Sequence, residues 1–108
     1  MVNFSEPDKN ALEAEFITTL LEYGIPIHLH GGLARYVFEG VPTGHFLNAV
    51  LTNDLYEAVN RADDSNQRAI AALAKFLFNN VPASCFGTDE KVTTWCKHHG
   101  WWGLRTGV

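Results

Sequence analysis

"FLNAVLTNDLYEAVNRAD", residues 46–63, decides how the chain is read. Leu47, Val50, Leu51, Leu55, Ala58 and Ala62 recur at helical spacing, which predicts one amphipathic helix through the whole stretch with Thr43 as its N-cap. At about 100° per residue these apolar positions fill one arc, and Asp54 and Arg61 fall inside it. Two charged side chains, about 10.5 Å apart along the axis, would then face the core. A buried charge without a partner is too unfavourable to persist, so two readings follow. In the first, each charge meets its own buried partner, such as Arg35 for Asp54 and Asp63 for Arg61. In the second, this face lines a cleft or subunit interface where an arginine receives an anion. Asp54 and Asp63 are accordingly expected to be structural polar groups. Arg61, on the last turn with a long stem, is expected to bind a ligand.

Helices are predicted on both sides of this stretch. Upstream, "SEPDKNALEAEFITTLLEYG" starts at Ser5 or Glu6 before Pro7, buries Leu12, Phe16 and Leu20, and stops at Gly24. A short second helix runs from about His28 to Glu39 and ends at Gly40, with Leu29, Leu33, Tyr36 and Val37 as its stripe and Arg35 on the opposite side. Downstream, "DDSNQ" breaks the chain, and Asp63, Asp64 or Ser65 can cap "NQRAIAALAKFLFNN", whose core residues are Ile70, Leu73, Phe76 and Leu77. The last helix is "TDEKVTTWCKHHG", with Thr88 as N-cap and Gly100 as stop. The tail "WWGLRTGV" is read as an aromatic segment folded over the core or open to a partner. The sum is an all-α fold, a compact irregular bundle of about five short helices forming a single domain over residues 1–108.

Composition narrows the function. Hydrophobic residues at 46% support a real core, and a net charge of −4 argues against nonspecific binding to duplex DNA, which needs a basic surface. A small anion stays possible, because two or three arginines suffice for one phosphate. Two cysteines are too few for a disulfide scaffold. "MVNFSEPDKN" carries no signal pattern and no apolar run is long enough to cross a bilayer, so a cytoplasmic protein without a membrane role is expected.

Catalytic and metal motifs are weak. There is no G-x-S-x-G elbow, P-loop or H-E-x-x-H. His28, His30, Cys85, Cys96, His98 and His99 lack the close pairs of zinc sites, so packing cysteines and helix-terminal histidines are favoured and no metal or cofactor is expected. Cys96 with His98 or His99 is a poor nucleophile and base pair, since residues two and three apart on a helix diverge. "HGGLAR" could hold a phosphate on its first amides, or Gly31–Gly32 could be a hinge. Trp101 and Trp102 beside Arg105 form either a tail folded over the core or a stacking surface.

The segments "GLARY" (32–36), "PTGHFLNAVLTNDL" (42–55), "RAD" (61–63) and "GTDEKVTTW" (87–95) resemble a family of small, mostly uncharacterised proteins encoded by phages and prophages. The first helix and the "KHHGWWGLRTGV" tail lie outside the match. The resemblance implies a protein that acts on host machinery, in the host cell cytosol.

Two function classes follow. The favoured one is a binding protein that sequesters an anionic, nucleotide-like signal of host defence, such as a cyclic nucleotide or a cyclic ADP-ribose-type messenger. Its expected ligand-binding residues are Arg35, Tyr36, Asn53, Arg61, Trp101 and Arg105. Five short helices enclose little volume, so a homo-oligomer, most simply a dimer, is expected to supply the cleft. The alternative is a protein–protein inhibitor of a host enzyme that uses exposed Glu13, Glu22, Glu57, Asp63 and Asp64. An enzyme is a distant third.

Overall fold

Thr52 and Asn53 break the stretch that periodicity reads as one helix. In the computed structural model, which describes residues 1–106, helices α3 (His45–Leu51) and α4 (Leu55–Arg61) replace it. Three local interactions explain the break. The Thr52 hydroxyl donates back to the Asn48 carbonyl at 2.8 Å. Asn53 adopts a left-handed conformation with φ 64°, which asparagine tolerates better than most residues. Asp54 then restarts the helix as N-cap, its carboxylate accepting from the Glu57 N–H at 3.1 Å. Turn chemistry outweighs hydrophobic period here.

The break moves both charges out of the core. Asp54 and Arg61 are exposed, and Arg61 pairs with Glu57 one turn earlier on α4. The expectation that they occupy the buried stripe is therefore corrected, and so are the suggested pairings of Asp54 with Arg35 and of Arg61 with Asp63. Asp63 also acts locally, capping α5 by accepting from the Asn66 N–H at 2.8 Å.

The remaining elements are α1 (Lys9–Glu22), α2 (His30–Glu39), α5 (Asp64–Asn80), α6 (Asp89–Lys97) and α7 (Gly100–Thr106), with 3-10 turns at Ile27–Leu29 and Ala83–Cys85. No strand occurs among the described residues. The fold is all-helical as expected, but the described residues form seven α-helices rather than about five. One extra helix comes from the break at Asn53. The other is α7, formed by the tail; Gly107 and Val108 lie outside the described residues.

Boundaries shift where caps decide them. α1 begins at Lys9 because Asp8 accepts from the Asn10 and Ala11 N–H groups, two residues later than the Ser5–Pro7 signal suggests. It ends as expected at Gly24, φ 74°, where the Ile25 N–H returns to the Leu20 carbonyl at 3.1 Å and the Gly24 N–H to Leu21 at 3.0 Å. α3 is capped by Gly44 rather than Thr43, whose buried hydroxyl has no partner. Thr88 caps α6 as expected, accepting from the Lys91 N–H at 3.1 Å.

The core centres on α2. Tyr36 is fully buried, its hydroxyl donating to the Cys85 carbonyl at 2.6 Å. Trp95, also fully buried, splits its indole N–H between the Tyr36 and Val37 carbonyls at 3.1 Å each. Phe16 meets Phe38 and Phe76 edge-on at 5.0 and 5.2 Å, tying α1 and α5 to this centre. Buried Asn80 accepts from the Val2 N–H at 2.9 Å and so fastens the first residues to the end of α5.

Candidate binding site

Helix α7 owes its position to three glycines. Gly40 and Gly100 both have φ 70°, and their backbones meet so closely that a Cβ on Gly100 would lie 2.5 Å from the Gly40 nitrogen. A Cβ on Gly103 would collide with the His98 carbonyl. Only glycines let the start of α7 rest on the end of α2. Gly100 thus joins α6 to α7 instead of ending the structured chain.

That contact sets Trp101 and Trp102 against the N-terminal segment, both partly buried. Trp102 stacks on Phe38 at 5.6 Å and donates its indole N–H to Glu13 at 3.0 Å. Trp101 meets Phe4 edge-on at 5.1 Å, and its own indole nitrogen is buried without a partner. Two exposed cations cover these rings. The Arg105 guanidinium lies 5.9 Å from the Trp101 ring and 5.6 Å from the Trp102 ring, and Lys9 Nζ lies 5.8 Å from Trp102. Arg105 also donates to the Glu6 carbonyl at 3.1 Å. Each cation–ring contact contributes about 0.5–1 kcal/mol at an exposed site, so these cations are held but not consumed.

Of the six expected ligand-binding residues, the structure brings Trp101 and Arg105 together. Arg35 is exposed on α2 with its guanidinium folded back over Gly31, and Arg61 is engaged by Glu57. Tyr36 is at the centre of the core and presents no surface. Asn53 borders two adjoining clefts lined mainly by apolar residues, one between α3, α4 and α5 that includes Leu55, the other between α3, α5 and Phe86–Gly87 that includes Phe78, with Val50 and Ala74 shared by both. The glycine pair is not a free helix start, because the 3-10 turn runs directly into α2 and the His30 N–H donates to the Ile27 carbonyl.

The remaining candidates are structural. Burial pushes the Tyr36 hydroxyl and the Cys85 thiol far up; Cys85 raises Tyr36 further, the Tyr36 hydrogen bond offsets part of the rise at Cys85, and burial also raises Cys96. Thiols held protonated are poor nucleophiles. His30 bonds the Ile25 carbonyl at 2.8 Å, His28 bonds Asn66 at 2.9 Å and His98 bonds the Gly100 carbonyl at 3.2 Å. No group of three metal-donor side chains forms among the described residues. No described helix is long and apolar enough to cross a membrane. Of the acidic candidates, Glu57 is paired, Asp63 caps α5 and Glu13 holds Trp102.

Sequence reading missed Lys9 and Phe4, and it placed Glu13 on an acidic surface rather than beside Trp102; all three reach α7 only through the fold. It also missed the exposed apolar residues Leu55, Tyr56 and Phe78. Phe78 was within reach: on a helical wheel it falls outside the arc of Ile70, Leu73, Phe76 and Leu77. Compared with protein-family models, curated proteins and solved structures, the chain matches none.

Proposed function

We propose that the chain is a small binding protein of the phage type that sequesters an anionic, nucleotide-like signal of host defence in the host cytosol, working as a homo-oligomer. Its contact surface is the platform of Lys9, Trp101, Trp102 and Arg105. The observation that supports this reading is the pair of cations lying 5.6–5.9 Å from two adjacent indole rings. A guanidinium supplies paired N–H donors to a phosphate, and a cation that turns outward to that phosphate uncovers indole surface for contact with a base. Glu13 balances the local charge, which favours a ligand of low negative charge, such as a cyclic monophosphate or a cyclic ADP-ribose-type diphosphate, over an open triphosphate.

The test is calorimetric titration and thermal shift with cyclic AMP, a cyclic dinucleotide and cyclic ADP-ribose, following tryptophan fluorescence. A true ligand at 100 times its dissociation constant stabilises the fold by about 2.7 kcal/mol. Arg105→Ala should abolish that gain and the fluorescence change. No response to any of the three, or one that survives Arg105→Ala and Lys9→Ala, contradicts the proposal.

A further inference from the structure

The α4–α5 side of the molecule carries large apolar side chains with nothing over them. Phe78 is 80% exposed, Tyr56 84% and Leu55 60%. They belong to one surface. Leu55, Tyr56 and Val59 are neighbours at three- and four-residue spacing on α4, and all three are exposed. Leu55 and Ala74 line one cleft, while Ala74 and Phe78 line the next, which measures about 250 Å³. Exposed Ala71 and Ala74 lie on the same side of α5 as Phe78 and present small side chains in the middle of that helix, with Gln67 and Lys75 beside them.

We infer that this face is the dimer interface, covered by a second copy of the same chain through two-fold packing of α5 against α5. Phe78 projects beside a cleft with room for one aromatic ring, so the projecting group and its receptor occur side by side on one surface. A two-fold axis between them seats each Phe78 in the cleft of the other copy and closes the assembly at two. The area agrees. Tyr56 and Phe78 bring roughly 250–400 Å² between them, given the size of aromatic side chains. Leu55, Val59, the alanines and the cleft walls extend this toward the about 800 Å² per partner that a stable interface needs. The aromatic residues of α7, by contrast, are partly buried within their own chain and offer less. The inference gives a location to the oligomer in the functional reading. It is tested by mass, whereas the ligand is tested by titration, so either can fail alone.

The experiment is sedimentation equilibrium of the full chain from micromolar to millimolar concentration, beside Phe78→Glu and Ala71→Glu. The wild type should reach twice the 12.0 kDa chain mass. Phe78→Glu should weaken dimerisation roughly thirtyfold or more, the usual loss of a buried aromatic anchor, and keep the same helical spectrum because Phe78 packs little within its own chain. Ala71→Glu should do the same and serves in its place if Phe78→Glu fails to fold. A wild type that stays monomeric throughout, grows beyond a dimer, or dimerises equally well with Glu at both positions overturns the inference.

Discussion

Around α2 the interior polar groups have defined partners: the Tyr36 hydroxyl donates to Cys85, the Trp95 indole donates to Tyr36 and Val37, and the Gly40 and Gly100 backbones touch. Around α4 there is much less. Of its seven residues only Ala58 is buried, its cap is one surface carboxylate, and an open cleft runs between part of it and α5. The difference teaches where each half obtains its stability. The α2 side is held by long-range contacts that leave no room for change. The α4 side is held by local turn chemistry and leaves its apolar surface exposed.

Breaking the tight half should have the largest effect. Gly100→Ala combines a positive φ with a Cβ 2.5 Å from backbone, so a loss of about 3 kcal/mol or more is expected from overpacking and strain. Thermal unfolding followed by circular dichroism reads it directly, and a wild-type melting curve would remove the close approach from the account.

Tyr36→Phe comes next. Losing the hydroxyl strands the Cys85 carbonyl and should lower stability by about 1–2 kcal/mol at neutral pH. The pH dependence carries a definite sign. Burial first, and the neighbouring Cys85 second, raise the tyrosine, so its folded form stays protonated while the unfolded chain ionises. That contribution is fully present below about pH 10 and is lost as pH rises further. Denaturant titrations should therefore find the deficit of Tyr36→Phe shrinking above about pH 10.

Smaller effects belong to the other half. Asp54→Ala removes an N-cap and should lower stability by about 1 kcal/mol, far less than the several kcal/mol of a buried charge pair. Arg61→Ala removes an exposed pair with Glu57 and should change the unfolding midpoint by about 0.5 kcal/mol or less. A larger loss in either variant would return these residues to the core.

The same contrast explains what could be read from the sequence. Leu12, Phe16, Leu20, Leu33, Leu73 and Phe76 are buried as their spacing predicts, because helical periodicity reports on burial along a continuous helix. Thr52-Asn53-Asp54 was equally visible, as a stop residue followed by a cap, but the apolar positions on either side kept phase across the break and hid it. The packing of α7 was not legible, since the role of Gly100 depends on Gly40, 60 positions earlier. The platform was half legible for the same reason: Trp101 and Arg105 are near in sequence, and Lys9 joins them only in three dimensions.

Residue-by-residue native-state hydrogen exchange, at a concentration low enough to keep the chain monomeric, tests the division most directly. The Val37 and Trp95 amides should exchange only through global unfolding. The Ala58 and Val59 amides of α4 should open locally, at a free energy lower by about 2 kcal/mol or more. If α4 instead exchanges at the same free energy as α2, the two halves are one cooperative unit and the contrast between them is wrong.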